Sequence, residues 1–288
     1  TLSTVSTLSL EEASQIACGN AWFQLYTPQE REVREDLLNR CQRAGYGVLV
    51  VTVDVPFKTR RNHDIRNGLS VPPRPGVRAI FQMGTHPAWS LRMLRRGIPR
   101  FVNLQPYHEA GQSHNVGRSV HESAKFIEER VGLHITPTIF TELRRLWPGK
   151  LLVKGVLDTE EARTYVDLGA DGLVVSNHGG RQLDAAPSVV HVLPRIRAAV
   201  GPDLPIIADS GVRSGLDIAR MIALGADFVL LGRAFAVGVA ALDRRGGEHV
   251  ANVLKAELQS TMGLLGCASL DTLRSCRHEH PGASLQRI

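Results

Sequence analysis

Aromatic residues are scarce, at 5% of 288, and there are four cysteines. With so few rings, the core has to be assembled mainly from Val, Leu, Ile and Ala. Cys18, Cys41, Cys267 and Cys276 are scattered, without a C-x-x-C pair and without histidine at metal-ligand spacing. That excludes a disulfide framework and predicts no metal site, and it leaves four reduced thiols in a cytosolic-side protein. Long apolar runs are also missing. The longest, Phe228 to Leu242, is interrupted by Arg233 and is shorter than the roughly 20 residues of a membrane span. The N-terminal TLSTVSTLSLEEA has neither the basic stretch nor the apolar run of a signal peptide.

What is present is an ordinary globular composition, 43% apolar and 22% charged, with 27 Gly, 15 Pro and a formal charge of +6. It excludes a disordered or collagen-like chain. The length suits one or two domains and lies near the ~250 residues of one (β/α)8 barrel.

The second half alternates short β-branched runs with amphipathic ones. LLVKGV precedes DTEEARTYVDLG, GLVVSN precedes SVVHVLPRIRAAV, PIIADSG precedes SGLDIARMIALG, and FVLLGR precedes a helical stretch beginning near His249. Strand starts fall about 22, 32 and 23 residues apart, the spacing of βαβ units on a parallel sheet. Gly closes the helices in LGADG and LGADF, where a left-handed cap is expected. WFQLY, the helix REVREDLLNRCQRAG and GVLVVTVD repeat the unit earlier. Between Pro56 and Pro137 the rhythm fails over about 80 Pro- and Gly-rich residues. We read 57–137 as an inserted loop, returning through the helix TPTIFTELRRLW. The remaining framework makes about seven units rather than eight.

In parallel barrels the chemistry sits where strands end. These ends carry Gln24 and Tyr26, Thr52 and Asp54, Lys154, Ser176 with Asn177 and His178, Asp209 with Gly211, and Gly232 with Arg233. A chain built only to pack would not put polar groups at nearly every terminus. In DSGVRSG the glycines permit close backbone approach and the following helix is expected to offer its N-terminal N–H groups. Arg213 and Arg233 add charge-assisted donors, so a phosphorylated ligand is predicted. SNHGGRQ, residues 176–182, is the most specific element. His178 suits a general base because the ordinary histidine pKa is ~6.5, and Arg181 can hold a carboxylate bidentately.

Taken together, SNHGGRQLD, WFQLY, TVDVP, LLVKGV, DSGVRSG and LLGR resemble, in order, the FMN-dependent 2-hydroxy acid dehydrogenase and oxidase family. The resemblance covers most of residues 1–270 and leaves 271–288 as a C-terminal tail. It implies an α/β fold, an FMN-binding TIM (β/α)8 barrel. Because the family carries a further segment ahead of the part that TLST matches, the barrel is expected to lack its first strand, with the long insertion after the fourth. It also implies that His178 removes the substrate proton and that Asp54 hydrogen-bonds the imidazole. Arg61, Arg181 and Tyr26 would bind the substrate. Ser3, Gln24, Thr52, Lys154 and Ser176 would face the flavin ring, Asp209 the ribityl chain, and Gly211, Arg213, Gly232 and Arg233 the phosphate. Where family members read DGGVRRG this chain has Ser210 and Ser214, a departure that bears on the phosphate contacts at those two positions.

From Arg60 to Arg100 nine arginines face one acidic residue, Asp64, and 86–105 interleaves them with Trp89, Leu91, Leu94, Ile98 and Phe101. A basic, apolar stretch can lie on an anionic membrane, and this one is similar to the membrane-binding insertion of bacterial mandelate dehydrogenase. The expected protein oxidises an (S)-2-hydroxy acid, mandelate- or lactate-like, and passes electrons to a membrane quinone or another acceptor. It would be a cytoplasmic homo-oligomer, a tetramer as in the family, peripheral on the inner face of the plasma membrane. The alternatives are a truncated or inactive paralogue, an O2-using oxidase and a non-redox flavin isomerase. Nucleic acid is not expected, because the charge sits in the insertion without a nucleic-acid-binding motif.

Overall fold

The computed structural model describes residues 1–56, 65–66, 76–97, 100–109 and 134–276. The expected domain over 1–270 is built as two compact units, Thr1–Leu152 and Val153–Ile288.

The first unit opens with β1 (Leu2–Ser3), α1 (Leu10–Ile16), β2 (Trp22–Leu25), α2 (Arg31–Arg43) and β3 (Val48–Thr52). The strands are parallel, with Ser3 opposite Gln24 and Gln24 opposite Val50. Side chains alternate across a strand, so this register puts Ser3, Gln24, Val50 and Thr52 on one face. Phe23, Leu25, Leu49 and Val51 take the other face and are fully buried. There α2 supplies Leu37, Leu38 and Cys41, also buried. Each such aliphatic side chain stabilises by about 1.5–3 kcal/mol relative to exposure.

The insertion between β3 and the next strand is largely helical where it is described. It contains α3 (Val77–Thr85), α4 (Pro87–Arg96), α5 (Gln105–Glu109) and the returning α6 (Pro137–Leu146). Thr136 caps α6 through the Ile139 N–H, and Pro137 occupies its first turn, where a missing donor costs nothing. The candidate membrane segment 86–105 divides in two. Its start, α4, is exposed, whereas Asn103 and Leu104 are buried. Asn103 accepts from the Leu10 N–H at 2.8 Å and donates to the Leu8 carbonyl at 3.2 Å, tying the insertion to the start of α1.

The units divide within β4 (Lys150–Val156). The second continues with α7 (Thr159–Asp167), β5 (Gly172–Val175), α8 (Val189–Val200), β6 (Ile206–Ala208), α9 (Gly215–Ala223) and β7 (Phe228–Val229). Strands β5, β6 and β7 pair in parallel and in chain order. All four residues of β5 are buried, as expected of a strand covered on both faces. Positive φ at Gly169 and Gly225 ends α7 and α9 as the sequence predicts. Gly215 is required for another reason: a Cβ there would stand 2.2 Å from the Leu258 backbone nitrogen, on the helix α11 introduced below.

Two predicted boundaries are wrong. The helix after β7 starts at once, as α10 (Arg233–Leu242), and α11 (Gly246–Leu264) follows. The Ala-rich RAFAVGVAAL favours a helix, and the apolar run concealed that change from strand. The part of the expected tail over 271–276 is not a tail, because α12 (Leu270–Arg274) is capped by Ser269. Its Leu273 is fully buried against Ala219, Ile222 and Cys267. The rest of the tail, 277–288, lies outside the described residues.

Seven strands are found among the described residues, each separated from the next by helix. This is the α/β architecture of a TIM barrel framework. No described helix is long and apolar enough to cross a membrane.

Candidate active site

At the strand ends of the first unit, one polar file crosses three strands. Ser3 Oγ donates to Gln24 Oε1 at 2.9 Å, and Gln24 Nε2 donates to Thr52 Oγ1 at 2.7 Å. The file fixes the Gln24 amide orientation although the residue is buried. Behind it, Thr4 Oγ1 donates to the Gln24 carbonyl and accepts from the Tyr26 N–H, which sets the chain's exit toward Tyr26. Asp54 lies two residues past Thr52 and is half-buried. Arg61 lies outside the described residues. A cavity of about 540 Å³ in this unit is lined by Glu11, Gln15, Asp36, Arg40, Arg43 and Ala44. It includes none of the predicted site residues.

The second unit gathers most of the predicted residues. Lys154, on β4, donates to Ser176 Oγ at 2.9 Å and pairs with Asp209 Oδ2 at 3.1 Å. Both partners of the ion pair are largely buried, with side-chain exposures of 15% and 18%, so truncating one would strand the other's charge. An ammonium has three donors, and these two contacts direct Lys154 along the ends of β5 and β6.

The backbone then makes an uncommon turn. His178, Gly179 and Gly180 have φ of +56, +69 and +72, consecutive left-handed residues that cost a non-glycine such as His178 on the order of 1–3 kcal/mol. Hydroxyls hold the turn. Ser176 Oγ accepts from the His178 N–H at 3.0 Å. Ser210 Oγ accepts from the Asn177 and Gly179 N–H groups at 3.2 and 3.0 Å and donates to Asp209 Oδ1 at 2.7 Å. Asn177 Oδ1 accepts from the Gly180 N–H at 3.2 Å. Arg233 closes the far side by donating from Nη2 to the Gly179 carbonyl at 2.7 Å. It lies so close that a Cβ on Gly179 would be 2.5 Å from Nη2. His178 is thus built into a braced turn, while Arg181 beyond it is exposed.

One sequence expectation fails here. The chain's own side chains take the N–H groups of Gly215 and Asp217 in the first turn of α9, and those of Arg213 and Ser214 just before it, which the sequence leaves for a ligand. Asp217 Oδ2 accepts from the Arg213 and Ser214 N–H groups, Ser214 Oγ from that of Asp217, and Glu257 Oε2 from that of Gly215. Burial pushes the Asp217 carboxyl up, but these bonds and the Arg220 charge outweigh it and hold its pKa below the ordinary value. By contrast, α10 has Gly232 at its cap and no side-chain cap hydrogen bond. A Cβ on Gly211 or Gly232 would meet nothing within 4 Å. Open glycines, an uncapped helix start and Arg233 form a donor set that fits a phosphate, and the Lys154 ammonium fits an electron-accepting ring edge. Arg213 turns back to donate to the Val212 carbonyl.

The sequence did not reveal the bracing by Ser210 and Arg233. Ser210 at a family glycine position is the one signal of it in the sequence, where Arg233 reads as a phosphate ligand.

The fold is the α/β framework of a TIM barrel, and the strand ends of the second unit carry a donor set that suits a phosphorylated cofactor. The sequence profile described as FMN-dependent dehydrogenase matches residues 1–279. The chain is 40% identical over 282 residues to an L-lactate dehydrogenase of Pectobacterium atrosepticum, covering 96% of this chain and 70% of that protein. A second L-lactate dehydrogenase, from Bartonella tribocorum, is 41% identical over 277 residues, covering 94% and 69%. Among solved structures, the monotopic membrane protein (S)-mandelate dehydrogenase superposes with a TM-score of 0.86 at 36% identity, covering 94% of this chain and 70% of that one. A mandelate oxidase gives 0.72 at 32%, covering 95% and 67%. The chain therefore belongs to the FMN-dependent 2-hydroxy acid dehydrogenase family, and FMN is its cofactor.

Proposed function

We propose that the protein oxidises an (S)-2-hydroxy acid of the lactate or mandelate type to the 2-oxo acid, with His178 as the base. The observation that carries this reading is the left-handed His178 in a turn braced by Ser176, Ser210 and Arg233. A structural histidine needs no such bracing; a base that must meet one proton does. FMN, when bound, supplies the acceptor for the two electrons the substrate loses.

The remaining roles belong to the chain's side chains. Arg181 and Arg61 hold the substrate carboxylate, and Tyr26 donates to it or to the hydroxyl. Asp54 stabilises the protonated imidazole. With FMN bound, Ser3, Gln24, Thr52 and Ser176 would hold the ring, Lys154 would offer it a cation, and Asp209 would hold the ribityl hydroxyls. Gly211, Arg213, Gly232 and Arg233 would hold the phosphate. The test is direct: the purified yellow protein bleaches anaerobically with L-lactate or (S)-mandelate. A protein that holds FMN and stays yellow with both contradicts the reading.

The acceptor is a membrane quinone, reached from a peripheral position on the inner face, and the protein works as a homo-oligomer. The observation behind the peripheral position is α3 and α4, on which Val77, Ile80, Phe81, Trp89, Leu91 and Leu94 are all exposed beside Arg92 and Arg95. Six bare apolar side chains with neighbouring cations suit an anionic lipid interface. Oxidation of the bleached protein by a soluble quinone faster than by O2 supports a dehydrogenase; the reverse order favours an oxidase.

A further inference from the structure

Two of the four thiols meet, and neither is among the residues assigned to catalysis or binding. Cys267 Sγ and Cys276 Sγ are 3.3 Å apart. Cys267 follows the end of α11 and is buried, whereas Cys276 follows α12 and is half-buried. The other two cysteines differ. Cys18 is exposed and Cys41 is buried, with burial pushing the Cys41 thiol up to about 12.

The surroundings keep the pair together. Leu273 of α12 is fully buried in a cluster with Ala219, Ile222 and Cys267, against which Cys276 also packs. Arg274 pairs with Asp227 at 3.2 Å. The peptide between the cysteines is thus already folded onto α9, which holds the two sulfurs within reach of each other. The sulfurs need to approach by little more than 1 Å to reach the ~2.05 Å of a disulfide.

We propose that Cys267 and Cys276 form a reversible dithiol–disulfide site that fastens α12 to the second unit. The oxidant is a small disulfide of the glutathione type. Cys276, the more accessible, attacks it as the thiolate, giving a mixed disulfide and releasing one small thiolate. Cys267 then loses its proton and attacks the Cys276 sulfur, expelling the second. Two protein thiols and one small disulfide become one protein disulfide and two small thiols, with no other redox partner. Contact with Cys276 and then burial raise the Cys267 pKa, which is consistent with Cys276 acting first.

The test uses the FMN-loaded protein treated with glutathione disulfide, alkylated and digested with trypsin without reduction. Arg274 lies between the cysteines, so cleavage puts Cys267 on peptide 256–274 and Cys276 on peptide 275–277. The expected product is these two peptides joined, with the intact protein lighter by two hydrogens and restored by dithiothreitol. In Cys267→Ser, Cys276 should instead keep one glutathione. Hydrogen exchange over 270–276 should slow at least several-fold on oxidation of the native protein, and not in Cys267→Ser. Separate glutathione adducts on both thiols of the native protein, or a link to Cys18 or Cys41, would overturn the proposal. So would a joined peptide without slower exchange, because the bond would then fasten nothing.

Discussion

Ser210 occupies a left-handed position, φ +74, where glycine would be relaxed, and its hydroxyl makes the contacts that hold the His178 turn. It accepts two backbone N–H groups and donates to Asp209, so the backbone strain is offset by hydrogen bonds that only a hydroxyl could make. The strain and the bonds can be separated. Ser210→Ala keeps the strain and removes the bonds, and should destabilise by about 1–3 kcal/mol. Ser210→Gly removes both and should cost less, by roughly the glycine advantage of 1 kcal/mol. Both should lower kcat about tenfold to a hundredfold, since a base displaced by an ångström loses that much. Denaturant melts and steady-state kinetics of the two variants check this, and a Gly variant less stable than the Ala variant would refute the account of Ser210.

At the scale of elements, α9 and the α3–α4 pair show what pattern reading could and could not find. The strand and helix of each βα unit were legible because buried apolar residues recur with the right period, as in Gly172–Val175 and Val189–Val200. The Glu257 contact to the α9 first turn was not legible, because Glu257 comes from α11, far along the chain, whereas the Ser214–Asp217 capping box is local. The Asp217 half of that network makes a pH-dependent contribution. Its folded pKa is depressed, so its stabilisation is present above the unfolded value and is lost as pH falls through the folded one. Asp217→Ala should cost about 1 kcal/mol at neutral pH. The gap to the native protein should close below the ordinary carboxylate range, which melts from pH 7 down to acid can follow; a gap independent of pH would contradict it. For α3 and α4, Phe81→Glu with Leu94→Glu should abolish flotation with phosphatidylglycerol vesicles while leaving dye-linked activity intact. Unchanged flotation would remove this face from membrane binding.

For the whole molecule, the order of strand ends was enough to place the chain in its family. Lys154, Ser176 and Asp209 do meet, because successive parallel strands bring their C-terminal ends to the same edge. The assignment of 271–288 as tail failed at Leu273, since five helical residues packed by a single leucine leave no periodicity to read. The insertion hid its helices for a related reason: α3 and α4 bury too little to show a core stripe, and their apolar residues face outward. The chain spans about 70% of the L-lactate dehydrogenase it matches, and all the residues proposed for proton removal and carboxylate binding fall within that span. The central claim is that His178 is the base, and anaerobic stopped-flow reduction by L-lactate and (S)-mandelate tests it most directly. His178→Gln should stay yellow with full FMN and lose about 10²- to 10⁴-fold in the rate of bleaching; a variant that bleaches within tenfold of the native protein would contradict the account.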